Sequence, residues 1–209
     1  MSILYKLLAA QLRKPSGLFG SVFMGSILNK ANTRINLLTI ELMDIKPTDY
    51  VLDIGFGGGV TIQQISKLAY NGKTCGVDFS EPMVRQGEKR FRRLIEQGRV
   101  ELRLGDIARL PYQDNIFDKV CSVNTVYFWT NQLENLLEIR RIMKKDGRLV
   151  VSFHSREKMK KMRIFQYNFS LYSPEEVQGL FNQSGFRNVH IERRDEDKKR
   201  DVIMVIGNS

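Results

Sequence analysis

Val51-Leu52-Asp53-Ile54-Gly55-Phe56-Gly57-Gly58-Gly59 reads as a strand, a tight turn and the start of a helix. Val51 to Ile54 are apolar and branched except for Asp53, as a strand buried on both faces requires. The glycines let the chain turn sharply and bring its backbone close to a ligand, for which a nucleotide is the natural expectation.

Spacing separates the kinds of nucleotide. A dinucleotide fingerprint needs G-x-G-x-x-G after the strand, and here the third glycine position, 60, is Val. The register is G-x-G-x-G, with an acid two residues ahead of the first glycine. A carboxylate at that place would repel a pyrophosphate and suit a ligand that carries an ammonium group.

Outward from this stretch the chain alternates strand and helix from residue 50 to about 155, which predicts a parallel sheet with helices on both faces. Gly58 to Ala69 is the first helix, and Lys73 to Val77 a strand ending in Asp78-Phe79-Ser80. A helix from Pro82 to Gln97 follows, with Pro82 suited to its first turn. Val100 to Leu104 and Phe117 to Val123 are strands, Gln132 to Lys144 a helix, and Arg148 to Phe153 the fifth strand after an Asp146-Gly147 turn. Ser155 to Ser170 is a basic stretch without a clear assignment. Ser173-Pro174-Glu175-Glu176 has cap, proline and acids in the order of a helix start, and Gly185 marks that helix's end. Asn188 to Arg193 and Asp201 to Ile206 are expected to pair antiparallel across the charged turn Arg194 to Arg200.

Ligands of open parallel sheets sit outside the carboxyl ends of the strands, so residues just after each strand are the candidates. Asp78 can accept both ribose hydroxyls, and Phe79 with Met83 can give an adenine an apolar face. Asp106-Ile107 follows the third strand. Leu110-Pro111-Tyr112 and Phe117-Asp118-Lys119-Val120 come next.

These motifs, in this order, resemble the class I S-adenosylmethionine (SAM) methyltransferases over roughly residues 47 to 155, and less closely in the tail. The resemblance implies a Rossmann-like α/β fold: a seven-stranded, mostly parallel sheet with one antiparallel strand, helices on both faces and an N-terminal helical lid. It implies SAM as cofactor and S-adenosyl-L-homocysteine (SAH) as its product. Asp53, Gly55, Gly57, Gly59, Asp78, Phe79, Met83, Asp106, Ile107 and Asn124 are the implied cofactor-binding residues. Asp53 would serve the methionine amino end, and Asp106 the adenine amino group.

The reaction segment implied by the family is Ser122 to Trp129. It lacks the Asn- or Asp-Pro-Pro-aromatic motif of nucleic-acid amino methyltransferases. Position 124 is Asn, so the acid cluster of metal-dependent catechol enzymes is also absent, and no metal is expected. The segment is similar to the small-metabolite branch, including quinone-biosynthesis C-methyltransferases, which implies a small aromatic or apolar acceptor. Methyl transfer is an in-line displacement driven largely by positioning, and a general base is needed only if the acceptor must lose a proton. Asn124, Tyr127 and His154 are the catalytic candidates, with Tyr112 and Tyr172 as further possible bases. His154 also fits a hydrogen-bonded structural role, and Tyr127-Phe128-Trp129 fits either stacking or plain packing.

Residues 1–44 are expected to form a helical leader, and residues 45–209 the methyltransferase domain that the resemblance implies. Ile3, Leu4, Leu7, Leu8 and Leu12 recur at helical spacing, Pro15-Ser16-Gly17 breaks the helix, and further helices are expected over Phe19 to Lys30 and Thr33 to Met43. Arg13 to Gly20 is similar to the leader of a group of small bacterial methyltransferases. Such a leader covers the substrate pocket in the family, while Lys6, Arg13 and Lys14 beside the leucines leave a peripheral membrane contact open.

With 209 residues and 42% hydrophobic content, the chain can bury one substantial core. No run reaches membrane-spanning length, and no small-residue cleavage site follows the basic, interrupted opening, so a cytoplasmic location is expected. Cys75 and Cys121 fall in apolar strands and read as buried free thiols. A formal charge of +10 admits nucleic acid as a partner, but the cations are scattered and mixed with Glu and Asp, as on solvated helix faces. A nucleic-acid-binding or RNA-directed protein is therefore the alternative. Oligomeric state is left open.

Overall fold

The computed structural model describes residues 32–160, 170–195 and 201–209. The predicted helix at Phe19 to Lys30 and the first leader helix lie outside them. The described chain opens with α1 (Thr33–Met43), then β1 (Tyr50–Ile54), α2 (Val60–Leu68), β2 (Lys73–Asp78), α3 (Glu81–Glu96), β3 (Val100–Leu104) and β4 (Phe117–Val123). A single 3-10 turn, Val126–Phe128, leads to α4 (Gln132–Ile142) and β5 (Met143–Phe153). The tail holds α5 (Arg156–Met159), α6 (Pro174–Gln183), β6 (Arg187–Asp195) and β7 (Asp201–Asn208).

Seven strands form one sheet in the order β3-β2-β1-β4-β5-β7-β6. The first five are parallel, and β7 runs antiparallel to both β5 and β6. This is the expected sheet, with the order reversing beside β1, where a crevice opens at the carboxyl ends.

Strand alternation assigns the two faces. Leu52 and Ile54 of β1, Val120 of β4, and Leu149, Val151 and Phe153 of β5 point to the layer where Leu136 and Ile139 of α4 meet Val177 and Phe181 of α6. Val51, Cys121, Val150, Val202 and Met204 point the other way, against Ile35, Ile40 and Met43 of α1 and Ile65 of α2. A third cluster joins Val84 and Phe91 of α3 to Phe56, Ile62 and Leu102. Burying a Leu, Ile, Val or Phe contributes about 1.5–3 kcal/mol each, so both faces hold the sheet strongly. Thr39 on α1 is fully buried and its hydroxyl meets the Ser152 hydroxyl at 2.6 Å, a polar link between α1 and β5.

Most boundaries shift by one or two residues from the sequence pattern, and the largest difference is at the start of β5. The helix expected to reach Lys144 stops at Ile142, and β5 begins at Met143 instead of after Asp146-Gly147. Met143 pairs with Phe117, both fully buried, and Lys144 Nζ reaches the Asp118 carboxylate at 2.8 Å, so pairing with β4 overrides helix propensity. Asp146, at φ 63°, is absorbed as an irregularity inside the strand, where its N–H donates to the Ser209 carbonyl. In the unassigned basic stretch, Ser155 caps the short α5 by accepting from the Lys158 N–H.

Candidate active site

The turn after β1 is fixed by what packs around it. Gly55 sits at φ +76°, and a Cβ there would lie 2.4 Å from Thr125 Cγ2, so the segment after β4 is seated directly on the turn. Gly59, at φ +73°, precedes α2, and its Cβ would lie 2.6 Å from the Phe91 ring of α3. L side chains are disfavoured in this left-handed region by roughly 1–2 kcal/mol before any overlap. Above Gly57 the space is open: a Cβ there would meet only the Gly55 carbonyl, at 4.0 Å.

Asp53 lies beneath this turn with 1% of its surface accessible. Its Oδ1 accepts from Cys121 Sγ at 3.6 Å, while Oδ2 is buried without a partner among the described residues. Burial pushes the carboxyl up to about 7, opposed in part by the nearby Thr61 hydroxyl and the Cys121 thiol. An unpaired buried carboxylate is costly, and a cationic group placed there would relieve it.

Asp78 ends β2. Its Oδ2 accepts from the Gly57 N–H and its Oδ1 from the Ser80 N–H, both at 2.9 Å. Burial raises its carboxyl, and the backbone donors of Ser80, Gly57 and Phe79 counter the shift. The carboxylate keeps acceptor capacity for a further donor. Phe79 follows with 38% of its surface accessible, whereas Met83 is 3% accessible and spends its side chain on protein contacts. Asp106 is exposed, and its Oδ1 closes a turn by accepting from the Ala108 N–H at 2.9 Å. Ile107 is half-buried against the core.

The segment after β4 is built into the protein. Ser122 Oγ donates to the Ile54 carbonyl and pairs with the Thr125 hydroxyl, which also accepts from Trp129 Nε1 at 3.1 Å. Val126, Tyr127 and Trp129 are buried. Asn124 takes a left-handed φ of 57°, and its Nδ2 donates to Asn32 Oδ1 at 3.1 Å, where the leader meets the crevice. The Tyr127 hydroxyl accepts from the His154 N–H at 2.6 Å and donates to the His154 carbonyl at 3.1 Å. It ties the ends of β4 and β5 together, and burial pushes its phenol far above the ordinary range.

His154 Nδ1 contacts the Asp201 carbonyl. A carbonyl only accepts, so Nδ1 carries the proton and, in the neutral ring, Nε2 is left as the acceptor. Tyr172 meets Gln132 through its hydroxyl, while the Tyr112 ring packs edge-on against Phe117 with its hydroxyl buried.

The fold therefore gathers Asp53, Gly55, Gly57, Gly59, Asp78 and Phe79 around the β1 and β2 ends, and Asn124, Tyr127 and His154 around the β4 and β5 ends. Cys121, Thr61, Thr125 and Phe91, which support the turn, carry no signature in the sequence. Only pairing register and helix packing bring them to Asp53, Gly55 and Gly59. Among the described residues, no three His, Cys, Asp or Glu side chains cluster as a metal site.

Comparison with known proteins places these features in a family. The Methyltransferase domain family matches residues 52–151. An uncharacterized methyltransferase of Bacillus subtilis is 31% identical over 64% of this chain and 71% of its own length. The demethylmenaquinone methyltransferase of Lactiplantibacillus plantarum is 27% identical, over 74% of this chain and 77% of its own. Among solved structures, a SAM-dependent methyltransferase from Aquifex aeolicus superposes with a TM-score of 0.70 at 22% identity, covering 88% of this chain and 97% of that one. A chain of the Haloferax volcanii complex between the Trm112 methyltransferase activator and a methyltransferase gives a TM-score of 0.75 at 17% identity, covering 98% and 96%. At these identities the structural likenesses speak for the fold.

Proposed function

This chain belongs to the class I SAM-dependent methyltransferases, and from that premise we propose that its acceptor is a small aromatic or apolar metabolite. One observation carries the proposal: half-buried apolar side chains after β3 and β4, Ile107 and Phe128, and just before α6, Leu171 and Tyr172, pack on the core. Such side chains suit an apolar acceptor. A second support is the similarity to a demethylmenaquinone methyltransferase, whose named acceptor is a quinone.

The residues present fit the cofactor. The unpartnered Asp53 Oδ2 would take the methionine ammonium, Asp78 the ribose hydroxyls, Phe79 the adenine face and Asp106 the adenine amino group. Gly57 leaves the open space in which the nucleoside would rest. When bound, SAM supplies a methyl on a sulfonium, a leaving group that needs no further activation.

The protein's own work is then positioning and proton handling. Asn124, at the mouth between β4 and the leader, would orient the acceptor or the methionine end. Where the acceptor must shed a proton, His154 Nε2 would take it, because its Nδ1 is already committed to the Asp201 carbonyl. Tyr127 holds the His154 backbone in place rather than acting as a base, since its phenol is buried and raised.

The leader is proposed to close over the acceptor. Its described end supports this, since Asn32 bonds to Asn124 within the site. We place the enzyme in the cytoplasm; among the described residues no helix is long and apolar enough to cross a membrane.

A second reading, methyl transfer to RNA, is favoured by the +10 charge. Incubating the full chain with methyl-labelled SAM and an extract split into small-molecule, nucleic-acid and protein fractions tests both. Label in the small apolar fraction supports the proposal, and label confined to RNA replaces it.

A further inference from the structure

The outer groove between α2 and α3 has a volume of ≈ 470 Å³ and is bordered by Lys67, Arg90, Arg99, Gln63, Ser66 and Tyr70. Three cations border it, and no carboxylate does. Elsewhere on α3, Arg85 pairs with Glu81 and Arg92 with Glu96, while Arg93 stands exposed outside the groove. The groove's cations have no such partners among the described residues.

Two of these cations are fixed in place. Arg90 donates to the Gly58 carbonyl and to Gln63 Oε1, both at 2.6 Å, and its guanidinium lies 5.2 Å from the centre of the Phe91 ring. Arg99 donates to the Ser66 carbonyl at 2.6 Å, near the other end of α2. Held by neutral acceptors, both guanidinia keep their full charge and spare N–H groups. Arg99 Nε is buried without an acceptor among the described residues. Lys67 stands exposed at the rim, and Tyr70 offers a ring with 54% of its surface accessible.

From this geometry we propose that the α2–α3 groove binds the phosphate or pyrophosphate group of a nucleotide-sized ligand. Fixed guanidinium forks match phosphate oxygens, a lysine adds charge, and the Tyr70 ring can cover a base. The volume is in the range of small-ligand sites. This groove is not the acceptor crevice. Helix α2 runs away from the carboxyl ends of the strands, and the groove reaches its last turn and the start of β3.

Calorimetry at constant ionic strength tests the assignment with inorganic pyrophosphate, and with ADP in the presence of saturating SAH so that the adenosine site is blocked. One saturable site is expected, at least tenfold weaker in Lys67→Glu and Arg99→Gln and unchanged in Lys145→Glu, an exposed cation elsewhere. Tighter binding of ADP than of pyrophosphate would assign a nucleotide, and equal binding a bare pyrophosphate group; both support the groove. Circular dichroism of each variant shows that it is folded. Absence of saturable binding by folded protein, or an equal loss in Lys145→Glu, overturns the proposal. Pyrophosphate binding without SAH binding would instead count against the cofactor residues assigned above and leave the groove intact.

Discussion

Asp53 on β1 and Cys121 on β4 are register partners in adjacent parallel strands, and the thiol lies 3.6 Å from Asp53 Oδ1. The contact occupies one carboxylate oxygen and leaves Oδ2 for a ligand. It also makes cofactor binding sensitive to pH. Burial holds the Asp53 carboxyl near 7, against an ordinary 3.8, so the folded chain without ligand carries more protons than the unfolded chain between those values. The contribution of Asp53 to stability is therefore present below 3.8 and lost as pH rises through about 7. An ammonium ligand needs the ionised form, so SAH affinity should rise as pH increases through that region. It should fall again at higher pH, where the ligand's α-amino group deprotonates. Asp53→Asn should remove the acid limb and cost about 1.5–3 kcal/mol of binding, measured by titration from pH 5.5 to pH 9. An unchanged pH profile would separate Asp53 from the ammonium.

Thr125 seated on Gly55 predicts a coupled pair. Gly55→Ala should destabilise the chain through both left-handed strain and overlap with Thr125 Cγ2. Thr125→Ser removes that methyl while keeping the hydroxyl used by Ser122 and Trp129. Denaturant unfolding of the double variant should recover the overlap and leave about 1–2 kcal/mol for the backbone conformation. Additive losses would show that the two residues do not press on each other.

Tyr127→Phe should cost about 1–3 kcal/mol of stability by leaving the His154 N–H and carbonyl without their buried partner. Cofactor affinity should hold. A turnover profile that loses its basic limb in this variant would instead give the phenol a proton-transfer role.

Deleting residues 1–14 should abolish turnover and leave most SAH affinity, if the leader closes the acceptor site. Flotation with anionic vesicles separates a lid from a membrane contact. A chain that floats with the vesicles through its leader supports the membrane version.

Much of the fold was legible in the sequence because several strands, such as β1 and β4, are short runs with branched apolar residues followed by a turn. Val100 to Leu104 and Phe117 to Val123 match their predicted limits. The start of β5 was not legible, since Met143 and Lys144 continue a helical pattern and only their pairing with Phe117 and Asp118 makes them strand. At the site, the acids after β1 and β2 could be found from order and spacing. Cys121 and Phe91 could not, because what matters about them is register across the sheet and packing between helices. For Tyr127 the sequence left stacking and packing equally open, and the structure buries it, with its hydroxyl bonded to the His154 backbone between the ends of β4 and β5.

Calorimetric titration of SAH into the full chain and into Asp78→Ala, near neutral pH, tests the central claim that Asp53, the glycine turn and Asp78 form the cofactor seat. One site per chain is predicted, weakened in Asp78→Ala by about 1–3 kcal/mol with the fold retained. No binding by the parent chain, or equal affinity in the two, would contradict it.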